Sequence, residues 1–196
     1  MKRSCLKSIL LAVLIIAGTP IFAQEYVIDP GHTAVMSKAV RLGAAKVVGR
    51  FNDVSGSLVF NPATPAATTA EILIKADSYS ANNTNGENAV KGDGFLNVKA
   101  FPEIKASIKG LMKTERGYVA KTNLTLHGVT KEVMVAVVIT GPVLDLPTQK
   151  QSIGISGSVI INRQDFGITF SRKGPNNIEI VGNEVEIMIE ALAVAR

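Results

Sequence analysis

Few side chains in this sequence could do chemistry, and those few are scattered. Residues 124–133, LTLHGVTKEV, bring one histidine, two threonines, a lysine and a glutamate together within ten residues. A nucleophile relay or a general acid–base pair needs partners that converge on one point, yet His127 is one of only 2 histidines and His32 lies far away in the chain. The flanking residues alternate apolar with polar, which predicts two strands joined at Gly128, the residue that tolerates positive φ. Leu124 and Leu126 then fall on one face, and Thr125 and His127 on the other. The cluster is a hairpin with its polar groups splayed outward. Zinc ligation would need grouped His, Cys and carboxylates, which the chain lacks. GENAVKGDG is rich in glycine but has no GK[ST] ending, and neither a G-x-S-x-G elbow nor a dinucleotide fingerprint occurs. No catalytic residue, no metal site and no cofactor is expected.

The N-terminus speaks of address. Lys2, Arg3 and Lys7 precede the apolar run ILLAVLIIAG, and TPIFA places Ala23 before Gln24. This predicts a cleaved signal peptide over residues 1–23, a mature domain over 24–196, and a periplasmic or secreted location. A retained membrane anchor fits less well, because Gly18 and Pro20 break the segment where a spanning helix would continue. Three of the 21 basic residues belong to the signal, which leaves 18 against 16 acidic ones. So balanced a chain carries no electrostatic footprint for nucleic acid. The single cysteine, Cys5, also lies in the signal, so the mature chain has no disulfide or thiol chemistry.

The rest of the chain is a succession of short β-rich runs punctuated by Gly, Pro, Asn and Asp; TAVMSKAVRL, TAEILIKA, EIKASIKG, YVAKTNLTL, EVMVAVVIT and SIGISGSVIIN are the clearest. NEVEIMIEALAV contains helix formers, but Val185, Ile187 and Ile189 alternate with Glu184, Glu186, Met188 and Glu190, and period two predicts a strand. Residues 82–100 lack alternation and predict a short helical or loop insertion. The expected fold is all-β, an antiparallel barrel or sandwich in one domain.

In a barrel, alternate residues line one lumen. Here they are Val35, Ser37 and Ala39; Ile72 and Ile74; Ile104, Ala106 and Ile108; Leu124 and Leu126; and Val133, Val135 and Val137. These are small or aliphatic, and the chain has no tryptophan. Such a lumen need not fill itself, and an apolar lining selects an apolar ligand. The same residues would equally pack against one another in a sandwich core, and periodicity does not separate the two readings.

A resemblance does. YVIDPGHTAVMSKAVRLGAAKVVGRFNDVSGSL, followed by FLNVKAFPEI, LTLHGVTKEV, INRQDFGI and VGNEVEIMIEALA, resembles in order and spacing the YceI-like family of exported proteins. The resemblance implies a lipocalin-like antiparallel β-barrel whose long hydrophobic lumen binds polyisoprenoid or other long-chain amphiphilic lipids, without catalysis. Phe95 and Phe166, in two of these motifs, join the lumen candidates, although for Phe166, as for Phe170, the plainer role is core that closes one end of the barrel. Headgroup contacts fall to His32, Lys91 and Arg163, each with a plainer role beside it. For His32 that role is a turn-stabilising hydrogen bond, and for Arg163 a pairing with Asp165 or with backbone. Lys91 sits between Val90 and Gly92 in what reads as a mobile segment. Expected partners are a long-chain lipid and, transiently, a membrane; an exposed edge strand would also permit a homodimer. The alternative is an envelope stress or interaction module with a filled core and a protein partner.

Two departures from the family pattern stand out. Where relatives have Arg-Asp-x-His-Leu, this chain reads GENAV from Gly86 to Val90. Ser37 and Ala106 occupy inward positions where relatives often carry phenylalanine. The first bears on headgroup preference, the second on the room inside.

Overall fold

The computed structural model describes residues 23–196, the side chain of Asn176 excepted. The expected signal peptide lies outside the described residues, apart from its last alanine. Ten strands and one helix follow in the order β1 (Gln24–Arg41), β2 (Ala45–Phe51), β3 (Val54–Phe60), β4 (Thr69–Lys75), β5 (Tyr79–Ser80), α1 (Thr84–Lys91), β6 (Glu103–Thr114), β7 (Gly117–Leu126), β8 (Val129–Asp145), β9 (Lys150–Asn162) and β10 (Val181–Ala195). Eight of the strands run β10-β9-β8-β7-β6-β4-β3-β1, and pairing of β1 with β10 closes them into an antiparallel barrel. This is the lipocalin-like barrel expected from the sequence, and it removes the sandwich alternative. Residues 82–100 supply α1, whose first turn is capped by the Asn83 carboxamide oxygen accepting from the Gly86 amide.

β1 organises the closure. It pairs with β10 from Tyr26↔Ala195 to Arg41↔Val181, while its other edge meets β3 at Gln24–Val27 and β2 at Val35–Arg41. A break in register between Asp29 and Ala34 separates the two halves. There the Asp29 carboxylate accepts from the Gly31 amide at 2.8 Å and pairs with His32 Nδ1 at 2.7 Å. The side chain of His32 is 73% exposed. That contact is the plainer of its two expected roles; the headgroup contact is not supported, since the irregular turn carries His32 away from the lumen.

The alternation read from the sequence is obeyed along β8, where Val135 and Val137 are buried while Met134, Ala136 and Val138 are exposed. β10 is a strand throughout despite its helix formers, and its alternate residues Val185, Ile187, Ile189 and Ala191 line the cavity. One end of the barrel is closed by Tyr26, Phe60, Ile153 and Ala193, with Phe60 meeting Tyr118 edge to face at 6.1 Å. Outside the ring, β2 pairs with β1 on one side and with two-residue β5 only at Arg50 and Phe51 on the other, so its residues 45–49 have no strand partner on that side among the described residues.

The 124–133 segment is the expected hairpin, with a two-residue loop between Leu126 and Val129. Both loop residues are left-handed, His127 at φ 51° and Gly128 at φ 76°, which is the turn that matches strand twist. The imidazole lies on Phe101, ring centres 4.2 Å apart, and this contact holds a histidine where asparagine is commoner. A Cβ at position 128 would come within 2.6 Å of the Phe101 ring. Gly128→Ala should therefore cost about 1–3 kcal/mol in denaturant unfolding, whereas His127→Asn should stay within about 0.5 kcal/mol of wild type. Equal effects at both positions would contradict this account of the turn.

Candidate functional site

The inward faces of the strands enclose a cavity of about 820 Å³, lined almost wholly by aliphatic side chains. Leu58, Ala70, Leu111 and Ala120 line its closed end; residues of α1 line the other, together with Phe95, Phe170, Val47 and Ile180. The reason for the space is the reason given by sequence: valine, isoleucine and alanine at alternate positions are too short to meet across a barrel of eight strands. Along β10 the lining runs from Val181 to Ala191. At ~3.3 Å per residue that is a path of roughly 30 Å, so the space is elongated.

All the expected lumen residues except Phe166 line this cavity, Ser37 and Ala106 included. Phe166 is 2% exposed but lies outside it. After Asn162 the chain leaves β9 in a 3₁₀ turn, Arg163–Phe166, so the period-two phase no longer applies. The turn aims Arg163 inward instead. Its guanidinium donates through Nε to the Gly182 carbonyl at 3.1 Å, through Nη1 to Ile168 at 2.7 Å and through Nη2 to Val181 at 3.3 Å, and it sits 5.7 Å from the Phe95 ring centre. Burial pushes its pKa below the usual value, against the pull of Glu179. The pairing with Asp165 is absent and backbone takes its place, as the other half of that expectation had it. Arg163 is the one headgroup candidate that reaches the lumen.

Lys91 does not reach it. Its ammonium lies 3.5 Å from Asp77 and 3.7 Å from Glu87, in the last turn of α1 rather than a mobile segment. The cavity is instead met by Asn85, Gly86, Ala89 and Val90, the stretch that departs from the family pattern. From Gly86 to Val90 no arginine, aspartate or histidine faces it; the guanidiniums in the lining are those of Arg163, beside Phe95, and Arg41.

One polar feature escaped the sequence reading. Tyr79 projects into the cavity from β5 and packs edge to face on Phe51 at 5.4 Å, with Ser37 lining the same cavity. The ring needs Gly49, because a Cβ there would fall 2.0 Å from the Tyr79 hydroxyl. Burial raises the phenol's pKa and the negative charge of Glu87 adds to it, while the Ser37 hydroxyl works the other way. Among the described residues no cluster of His, Cys, Asp and Glu could hold a metal ion.

A closed antiparallel barrel with an internal apolar cavity and one short covering helix places the chain among the lipocalin-like proteins. The YceI-like domain family matches residues 26–193, so the chain belongs to the YceI-like family. A UPF0312 protein of Shewanella putrefaciens is 31% identical over 197 residues, covering 98% of this chain and 99% of its own. Among solved structures, Burkholderia cenocepacia BcnA superposes with a TM-score of 0.73 at 19% identity, over 84% of this chain and 98% of its own. A polyisoprenoid binding domain from Saccharophagus degradans gives 0.63 at 11% identity, over 89% and 100%.

Arg163→Leu should destabilise the protein by about 3 kcal/mol or more, because three carbonyls lose their donor together, and Arg163→Lys should not restore it, since one ammonium cannot replace the fork. Chemical denaturation of both variants checks this. The raised pKa of Tyr79 has its own signature. Its stabilising contribution is complete below about pH 10 and is lost as pH rises through the higher folded value. Tyr79→Phe should therefore flatten the alkaline limb of a stability–pH profile; an unchanged limb would mean that the phenol is not buried.

Proposed function

We propose that this protein is an exported carrier or store for a long-chain isoprenoid or related amphiphilic lipid, held non-covalently in the barrel lumen. The observation that carries the reading is the cavity of about 820 Å³ with its nearly unbroken aliphatic wall. Pockets of this size and character bury most of an apolar ligand's surface, and the elongated path suits a chain more than a compact ring. Among the fold's neighbours is a domain described as polyisoprenoid binding, which supports the same ligand class. Val35, Ser37, Ala39, Ile72, Ile74, Ile104, Ala106, Ile108, Leu124 and Leu126 would hold the chain, with Phe95 and Arg163 toward the mouth. The filled-core alternative does not fit a lumen of this size. Binding rather than catalysis fits the scattered titratable groups, and the N-terminal pattern supports an envelope or secreted location.

The two small lumen residues Ser37 and Ala106 give the test. Ser37→Phe with Ala106→Phe adds two rings to the lumen wall, each with about 150 Å² or more of surface to accommodate. Titrated with a long-chain polyisoprenol, the double variant should bind at least tenfold more weakly, about 1.4 kcal/mol, while its thermal melt shows a folded protein. Equal affinity in two well-folded proteins would mean that the lumen is not where the lipid sits.

A further inference from the structure

The cavity's mouth carries features that lipid binding alone does not require. Leu42, in the β1–β2 hairpin, is held at φ 52° and is 44% exposed. A left-handed backbone is costly for leucine and easy for asparagine or glycine, so an exposed leucine there is kept for what its side chain meets. Beside it stands Ile178, 43% exposed on the 174–180 loop. The two segments are joined, with the Leu42 amide donating to the Ile180 carbonyl at 3.0 Å and the backbone of Gly43 close under Ile178. Val40, Val47, Val48 and Phe170 are exposed on the same rim. Exposed apolar residues scattered singly are ordinary, but here they are grouped about the opening of an apolar cavity.

Charge surrounds this patch. Arg41, Arg172 and Lys173 flank it, and none makes an ion pair among the described residues. Lys46 is held by Glu186, and the nearby Glu179 accepts from the Ser171 hydroxyl. Free cations around projecting aliphatic side chains match an anionic bilayer surface, where phosphates meet the cations and the aliphatics enter the hydrocarbon boundary. We infer that the mouth docks on an anionic phospholipid membrane, Leu42 and Ile178 inserting and Arg172 and Lys173 meeting phosphate, so that a lipid passes between bilayer and lumen without crossing water. This rests on the lumen reading above for its purpose, but not for its geometry.

The experiment uses purified protein and vesicles of phosphatidylcholine with or without phosphatidylglycerol. Wild type should sediment with the anionic vesicles at least tenfold more strongly than with the neutral ones. Leu42→Asn with Ile178→Ser, and separately Arg172→Glu with Lys173→Glu, should each reduce that partition at least tenfold. None of these four side chains lines the cavity, so binding of a polyisoprenol in solution should be unchanged. The exposed Leu144 and Leu146 at the far end of the barrel are the control, and Leu144→Ser with Leu146→Ser should leave vesicle binding intact. Undiminished partition in the mouth variants, loss in the far-end control, or no preference for anionic vesicles would each overturn the inference. So would a wild-type dimer that the Leu42 and Ile178 changes convert to monomer, since a second copy would then cover this face. Vesicle docking without polyisoprenol uptake in solution would instead discard the lumen reading and leave the docking surface standing.

Discussion

The pairing of β1 with β10 is the constraint on which the rest of the molecule depends. It uses the last strand to close the ring, and its parity decides which side chains face in. In this register Ser37 and Ile187 lie inward, while Lys38 opposite Glu186 lies outward. A slip of one residue would carry that charged pair into an aliphatic lumen, at a cost no barrel of this size could sustain. Closure also limits β3, which meets only the first residues of β1, so the remainder of β1 recruits β2 and builds one wall of the mouth.

A lumen so lined is poorly packed by the standard of protein interiors, which leave little space unfilled. The wall atoms forgo dispersion contacts that larger side chains would have provided. Stability is therefore surrendered in the middle of the barrel and recovered at its ends. The closed end has its aromatic and alanine packing, and the open end has Arg163 tying the loop after β9 to the start of β10. Tyr79 lying over Gly49 belongs to the same scheme, a large side chain from an outlying strand occupying what the strand beneath it lacks. A ligand that binds only the folded barrel would stabilise it further by mass action.

Much of this was legible because a strand has one simple period. Alternation placed the lumen residues from β1 through β8 and chose strand over helix for β10, where composition was ambiguous. Reading failed where the period stops. Phe166, a lumen candidate by motif with core as its plainer role, is buried core, because a 3₁₀ turn resets the phase and presents Arg163 to the lumen instead. His32 and Lys91 were candidates because they are polar side chains beside glycines; their carboxylate partners, Asp29 on one side and Asp77 with Glu87 on the other, depend on local turns and on α1 docking. Tyr79 was missed because β5 is two residues long and shows no alternation. Gly49, a residue without a side chain midway along β2, was the only local hint that something packs over it.

The central claim is that the lumen holds one long-chain apolar lipid. Native mass spectrometry of the protein purified from its host, paired with organic extraction of the same sample, tests this most directly. The account predicts a mass above that of the chain by a single long-chain lipid, lost on extraction and recovered in the organic phase. A lipid-free protein that also fails to take up added polyisoprenol would contradict it.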